Sequence, residues 1–123
     1  MSQKPDPVEP MRLRADTEPA PRTPVGPERL RDGAPLQSVL NQFSNAVGNF
    51  HCGTWSSSEG RWNIAYTEDE FCYLLSGAVV LADESGGNWR FDAGEAFVIP
   101  AGFRGTWQSL GEVRKFYALY EQP

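Results

Sequence analysis

Hydrophobic and polar positions alternate along this chain in short segments, and two segments carry most of the pattern. Residues 70–81 are apolar on both faces of an extended strand, and residues 97–99 form a buried apolar run that is closed by a turn at 100–102. Both segments are rich in aromatic and β-branched residues and end at glycine-containing turns, which is typical of strands. The pattern therefore predicts an all-β domain organised around these two segments.

The flanking sequence predicts further strands, at residues 49–56, 61–66, 89–91, 103–109 and 113–120. Because strand side chains alternate between faces, Trp62, Ile64 and Tyr66 should share one face, as should Lys115 and Tyr117. The strand at 103–109 is expected at a sheet edge. About eight short strands between regular turns favour a jelly-roll sandwich or small barrel, with an open meander or an immunoglobulin-like sandwich as alternatives.

Residues 36–50 show a different pattern. Their apolar positions recur at intervals of three or four residues, which predicts a helix of two or three turns ending near Gly48. The positions are Leu36, Val39, Leu40, Phe43 and Val47.

Composition divides the chain near residue 35. Eight of the ten prolines lie in residues 1–35, whereas all fifteen aromatic residues lie between Phe43 and Tyr120. Residues 1–35 are therefore predicted to form a proline-rich extended arm, with a short edge strand at 11–13, that lies on the domain or on a neighbouring subunit. Residues 36–123 are predicted to form one domain.

Charge follows the same division. The arm carries six basic and six acidic residues, so the net charge of −5 belongs to the domain. An acidic domain without a basic patch repels phosphate groups, and neither nucleic acid nor membrane is an expected partner. No apolar run approaches the length of a membrane span and no signal segment follows Met1. Cys52 and Cys72 are expected to be small buried side chains, and the cytoplasm is the expected location.

Two stretches resemble the two motifs of the cupin superfamily. Glu70 followed by Gly77 matches the end of the first motif, and Gly94, Pro100 and Gly102 match the start of the second. The finer pattern is similar to that of small single-domain, RmlC-like cupins related to the cupin domain of (S)-ureidoglycine aminohydrolase. It covers residues 60–62, 66, 70–71, 74–77, 92–94, 97–100, 102–107 and 114–115. The resemblance implies a cupin double-stranded β-helix, or jelly-roll barrel, behind the arm.

The chain lacks the full ligand set of the metal-binding cupins that it resembles. Those cupins supply two histidines and a glutamate from the first motif and a histidine from the second. Aligned on Glu70, Ile64 and Tyr66 stand at the first two histidine positions, and Gly105 stands at the last. His51, the only histidine, lies upstream of both motifs. The resemblance therefore implies no metal, and no cofactor is expected.

The candidate catalytic residues are Glu70 and Tyr66. An interior carboxylate whose pKa lies near the working pH can act as general acid or base. The alternative is a structural glutamate that is satisfied by hydrogen bonds to Tyr66, Trp62 or a buried water. The candidate ligand-binding residues, for an anionic or carbonyl-bearing metabolite, are Trp62, Ile64, Arg104, Trp107, Lys115 and Tyr117, of which Arg104 and Trp107 are expected at the barrel mouth. Surface charges and core aromatics are the alternative for these.

Three functions stay open. The first is a metal-independent small-molecule binding or sensing protein, and the second is an enzyme of nitrogen (ureide-like) or carbohydrate metabolism that uses Glu70 and Tyr66. The third is a structural accessory subunit. A homodimer is also predicted, because the strands at 70–81 and 113–120 are apolar on both faces and one barrel has a single interior. The alternative is that the arm covers the outer face.

Overall fold

The computed structural model describes residues 7–16 and 20–123 of the chain, and within these ranges it contains eleven strands and no helix. The strands are β1 (Thr23–Pro24), β2 (Leu30–Gly33), β3 (Leu36–Ser44), β4 (Phe50–Ser57), β5 (Gly60–Ala65), β6 (Asp69–Ser76), β7 (Ala78–Asp83), β8 (Asn88–Asp92), β9 (Ala96–Ile99), β10 (Arg104–Ser109) and β11 (Val113–Tyr120). The described part of the chain has no helix that could cross a membrane.

The strands form two antiparallel sheets. One has six strands in the order β1-β3-β4-β11-β6-β9, and the other has five in the order β2-β5-β10-β7-β8. Aromatic side chains join the sheets: the Trp55 ring lies 6.1 Å from Trp62 and 5.3 Å from Trp107, measured between centroids. This jelly-roll sandwich confirms the all-β prediction, although the strands are more numerous than expected.

The core lies between the sheets and draws on both cupin-like motifs. Its buried members are Val25, Trp62, Cys72, Leu74, Val79, Leu81, Phe97, Ile99, Trp107 and Val113. Cys52 and Cys72 are both buried and free, as expected of small apolar side chains. Val25 is the one core member that precedes residue 35, so the arm contributes to the packing.

The prediction of a helix in residues 36–50 is wrong, because residues 36–44 form strand β3. A bulge between Asn41 and Phe43 shifts the pairing of β3 with β4 by one residue. Leu40 pairs with Thr54 and Phe43 with Cys52, so Leu40 and Phe43 share a face although they are three residues apart. The bulge therefore gives a strand the apolar spacing of a helix.

Residues 70–81 form two strands and not the single strand expected. The chain turns at Gly77, which has a φ of +85°, and passes from β6 in the six-stranded sheet to β7 in the five-stranded sheet. A Cβ at this position would overlap the backbone oxygen of Glu112. Glycine is therefore required where the chain crosses between the sheets.

The expectation that residues 103–109 lie at a sheet edge is also wrong. Strand β10 lies at the centre of the five-stranded sheet, between β5 and β7. Its sequence neighbours β9 and β11 belong to the other sheet, so the strands that pair with it are distant in sequence. Chain order therefore did not reveal its position.

The edge strand expected at 11–13 is absent from the described residues 7–16, and the arm joins the sheets further along. β1 pairs with β3, and β2 pairs with β5. The arm is held to the domain where it has a buried side chain. Val25, next to β1, is 4% exposed and belongs to the core, whereas Met11 is 49% exposed. Arg22 also ties the arm to the domain, through an ion pair with Glu112.

Candidate functional site

A cavity with two adjoining compartments lies on the inner face of the six-stranded sheet, and the five-stranded sheet covers the first of them. The indole compartment has a volume of about 190 Å³ and is lined by Arg29, Gln37, Trp55, Trp62, Ile64, Ala65, Tyr66, Glu70, Trp107 and Lys115. The tyrosine compartment has a volume of about 220 Å³ and is lined by Val39, Asn41, His51, Trp55, Glu70, Tyr117 and Leu119. Trp55 and Glu70 line both, so the two compartments meet there.

The base of the indole compartment is an ion pair between Lys115 and Glu70. The Lys115 Nζ lies 3.3 Å from each oxygen of the Glu70 carboxylate, and the two side chains are only 4% and 7% exposed. In the sheet register Glu70 faces Leu119, four residues beyond Lys115. The lysine side chain must therefore extend along the inner face of the sheet, and this brings it past Cys72.

Two indole rings flank the Lys115 ammonium. Its Nζ lies 4.8 Å from the ring centroid of Trp55 and 4.4 Å from that of Trp107, distances at which ring faces attract cations. The Nζ also lies 3.4 Å from the sulfur of Cys72. The ammonium is thus surrounded by a carboxylate, a thiol and two π faces, which replace the water it loses on burial.

The pKa of Lys115 stands above its ordinary value. Burial acts to lower this pKa, but the interactions of the ammonium with Cys72 and Glu70 outweigh burial. Burial raises the pKa of the Cys72 thiol to about 12. The thiol is therefore neutral at pH 7, and the countercharge that keeps Lys115 protonated there is the Glu70 carboxylate.

Tyr66 completes the arrangement. Its hydroxyl donates a hydrogen bond of 2.6 Å to one oxygen of Glu70. Burial, followed by the charge of Glu70, raises the pKa of Tyr66. The phenol is therefore a fixed donor at neutral pH and cannot serve as a base, which leaves Glu70 as the only basic group of the pair.

Seven of the eight predicted site residues line this cavity. Six of them, among which are Glu70 and Tyr66, line the indole compartment, and Tyr117 lines the tyrosine compartment. Arg104 does not line it. Arg104 and Trp107 are three residues apart on β10 and so face opposite sides of the sheet, and Arg104 is exposed and paired with Glu84 at 3.5 Å.

The residues at the cavity that were not predicted from the sequence include Trp55, Cys72, Arg29 and Gln37. Trp55 packs on the ammonium, and Cys72 contacts it. Arg29 and Gln37 lie at the rim of the indole compartment, and Gln37 accepts a hydrogen bond of 3.4 Å from the Trp55 indole. The alternation of the strand at 49–56 could have indicated the inward face of Trp55, but no sequence signal connects Arg29 to this site.

One polar group in the indole compartment lacks a protein partner. The Trp62 side chain is 3% exposed, and its indole N–H has no acceptor among the described residues. By contrast, Trp107 donates its indole N–H to Ser109 at 2.9 Å. A buried donor without an acceptor is costly. The Trp62 indole is thus available to a ligand or water oxygen in the compartment.

The donor set does not fit a metal ion. Of the residues at the cupin ligand positions, only Glu70 carries a carboxylate, and both its oxygens accept from Lys115. The adjacent ammonium would also repel a metal cation. Within residues 7–16 and 20–123 there is no group of three histidine, cysteine, aspartate or glutamate side chains that could hold a metal.

His51 has a structural environment. Its Nδ1 lies 2.7 Å from the hydroxyl of Ser44, and its Nε2 lies 3.1 Å from the carbonyl oxygen of Gly48. Both ring nitrogens are therefore engaged in the turn between β3 and β4. The ring borders the tyrosine compartment without a free nitrogen directed at Glu70.

The chain matches a family model described as the EutQ-like cupin domain over residues 45–117. Among solved structures, it is similar to a protein of unknown function from Pseudomonas syringae pv. tomato, with 27% identity and a TM-score of 0.79. That alignment covers 87% of this chain and 46% of the other, so this chain spans about half the length of that protein.

Two further structures show the fold alone. The EutQ protein of Clostridium difficile is 19% identical, with a TM-score of 0.64 and coverage of 71% of this chain and 69% of that one. A putative ethanolamine utilization protein from Salmonella typhimurium is 18% identical, with a TM-score of 0.63 and 72% of each chain covered. The chain matches no curated protein.

Proposed function

This chain belongs to the EutQ-like cupin domain family, and from that premise we propose that it binds a small carbonyl- or carboxylate-bearing metabolite without a metal ion, as a binding or sensing protein. The observation that carries the proposal is the buried ammonium of Lys115. It lies against Glu70, the one carboxylate at the cupin ligand positions, and two indole rings enclose it. A fixed internal cation supplies the positive charge that a metal ion supplies in other cupins.

The lining of the indole compartment indicates the class of ligand. Trp55, Trp62 and Trp107 offer flat apolar walls, and a volume of about 190 Å³ corresponds to about six water molecules. Arg29 at the rim is a cation, and the Trp62 indole is a free donor. A small, flat molecule fits the apolar walls, and an oxygen acceptor on it can bind Arg29 and the Trp62 N–H. A few well-placed polar groups of this kind determine specificity in an apolar pocket.

The second candidate is an enzyme that uses Glu70 as a base. The hydrogen bond of 2.6 Å from Tyr66 favours it, because this bond orients the carboxylate towards the compartment. The ion pair with Lys115 opposes it, because both carboxylate oxygens already accept from the ammonium and are not free to take a proton from a substrate. For this reason binding is placed before catalysis, and a turnover abolished by Glu70→Gln would reverse the order. A structural accessory role is the third proposal and requires that the cavity takes up no ligand.

Kinship with the cupin domain of (S)-ureidoglycine aminohydrolase is part of the proposal. The supporting features are the shared motif residues, among them Gly77, which the structure places at the crossing between the sheets. A ureide carries carbonyl oxygens and amide donors on a flat frame. Such a molecule belongs to the ligand class that the indole compartment favours.

We also propose a homodimer. The outer face of β6 and β9 carries Phe71, Tyr73 and Val98, which are 46%, 37% and 58% exposed. Phe71 and Val98 are paired across the two strands, so they form one continuous apolar surface. A second copy of the chain covers such a surface most simply, because a two-fold interface matches one patch with itself.

The proposed location is the cytoplasm. Cys52 and Cys72 are both free and buried, which accords with a reducing compartment.

Tryptophan fluorescence tests the binding proposal, because three of the four tryptophans line the cavity. We expect acetate, pyruvate or benzoate, titrated in the presence of a chelator, to quench the fluorescence saturably. Trp62→Phe, which keeps an aromatic side chain but removes the indole N–H, should weaken binding about tenfold. Trp89→Phe, outside both compartments, is the matched control. Binding that appears only after a transition metal is added would contradict the proposal.

A further inference from the structure

A second concave site lies on the outer face of the five-stranded sheet, behind the cavity described above. It has a volume of about 450 Å³, and four arginines line it: Arg29, Arg31, Arg61 and Arg104. We call it the arginine concavity. Arg29 and Arg31 come from the arm, which β2 holds against β5. The arm therefore supplies half of the arginines at this site.

The shape follows from the strand alternation. Asn63, Thr106 and Ala82 lie side by side in the register of β5, β10 and β7 and face outward. These three short side chains lie among the long arginines that border the concavity. The sheet is thus recessed where the side chains are small, and guanidinium groups surround the recess.

Positive charge is concentrated at this site although the chain as a whole is acidic. The chain has a net charge of −5, yet four of its eleven basic residues line this one concavity. Two acidic residues share the lining, Asp83 and Glu84. The Asp83 carboxylate is engaged in the adjacent turn, where it accepts the backbone N–H groups of Ser85 and Gly87.

The existing ion pairs of two of the arginines are exposed to solvent. Arg104 pairs with Glu84 at 3.5 Å, and the two side chains are each 69% exposed. Arg61 pairs with an arm aspartate that is 63% exposed. Exposed ion pairs contribute little, so an incoming anion can replace the carboxylates. Arg31 donates its Nε to Asn63 at 2.9 Å, and no carboxylate of the described residues lies within 4 Å of it.

We propose that the arginine concavity binds a small molecule that carries two or more oxyanion groups, either phosphates or carboxylates. A guanidinium fork matches both kinds of group, donating two parallel N–H bonds to each. Asn63 accepts from Arg31 through its oxygen, so its amide N–H₂ stays available as a further donor, and Thr106, its partner in the sheet register, adds a hydroxyl. Four separate guanidinium groups exceed the need of one oxyanion, which is why the ligand should carry at least two.

This site and the indole compartment share Arg29, Ile64 and Ala65 but are otherwise lined by different residues. Arg104 and Trp107 lie on opposite faces of β10, so each of them belongs to one site only. Arg29 borders both sites and is therefore unsuitable for the test. Arg31 and Arg104 line the arginine concavity alone and identify it.

Calorimetric titration of the full chain with pyrophosphate, tripolyphosphate and citrate tests the proposal. We expect saturable binding of at least one probe with an affinity that falls as salt rises. Each arginine removed should cost about tenfold in affinity, so Arg31→Gln with Arg104→Gln should cost about a hundredfold. The matched control is Arg12→Gln with Arg90→Gln, which removes equal charge outside the concavity.

The outcomes separate the sources of the anion. Preference for the phosphates or for citrate identifies the group, and either result supports the site. An equal loss in the control pair would show diffuse charge attraction, and no heat with any probe would overturn the proposal. Glu70→Gln should leave the titration unchanged, so a loss there would place the anion between the sheets and overturn it too. Unfolding midpoints of all variants exclude loss of fold as the cause.

Discussion

The ammonium of Lys115 lies 3.3 Å from both oxygens of the Glu70 carboxylate, and the pair is buried against two tryptophan rings. Each charge is stabilised in the interior by the other. Removal of one partner therefore leaves an unpaired charge in the protein interior, and this asymmetry leads to the first prediction.

Lys115→Met is expected to lower the free energy of unfolding by about 3–5 kcal/mol, because it leaves the Glu70 carboxylate buried without a countercharge. Combining it with Glu70→Gln removes that charge and should recover part of the loss. Urea unfolding of the single and double variants measures both effects, with Arg90→Met on the surface as the control. A double variant less stable than Lys115→Met alone would contradict the prediction.

The free energy of unfolding is expected to fall as the pH rises above about 9. The Cys72 thiol ionises near its ordinary pKa of 9.0 in the unfolded chain, but burial raises its pKa to about 12 in the folded one. Over this window the folded state keeps a proton that the unfolded state has lost, which costs about 1.4 kcal/mol per pH unit. The raised pKa of Lys115 adds to the fall above its ordinary value of 10.5, for the same reason.

Urea unfolding at intervals from pH 7 to pH 10 measures this slope. Cys72→Ala should remove most of it, whereas Cys52→Ala should remove less, because the Cys52 thiol is nearer to solvent. A slope unchanged in Cys72→Ala would show that another group causes the alkaline loss of stability.

Protein purified without a histidine tag is expected to carry far less than one equivalent of transition metal. A catalytic metal site needs about three protein ligands, whereas Glu70 is the one carboxylate at the cupin positions and is already paired with Lys115. Elemental analysis and anomalous scattering measure the metal. Near-stoichiometric Mn, Fe, Ni or Zn bound to Glu70 would place the enzyme candidate first.

Light scattering at micromolar concentration is expected to show a dimer. Val98→Asp should shift it towards monomer, because a buried charge opposes the apolar contact across β6 and β9. Val47→Asp is the control, since Val47 is 82% exposed in the turn after β3, away from that surface. If the wild-type chain is a monomer, or if both variants shift the oligomeric state equally, the proposal of this dimer interface is wrong.

The strands were predicted correctly where apolar and polar residues alternate regularly along the sequence. Most of the strands after Phe50 were located, as was the inward face of Trp62, Ile64 and Tyr66. The prediction failed at β3, because the bulge near Asn41 changed the phase of alternation. It also failed at Gly77, because membership of one sheet or the other depends on pairing between distant residues.

The candidate site was predicted in part for the same reasons. Alternation on β11 predicted that Lys115 and Tyr117 share a face. The pairing of Lys115 with Glu70 spans 45 residues and depends on the pairing of β11 with β6. Arg104 was grouped with Trp107 because they are close in sequence. Their odd separation places them on opposite faces, and this parity was the signal that could have separated them.

The arm strands also have a consequence for the behaviour of the chain in concentrated solution. β1 occupies an outer edge of one sheet and β2 an outer edge of the other, where an exposed edge could recruit strands of another molecule. Pro24 in β1 has no N–H to offer, and β2 is short, charged and bulged. The arm therefore protects one edge of each sheet against edge-to-edge aggregation.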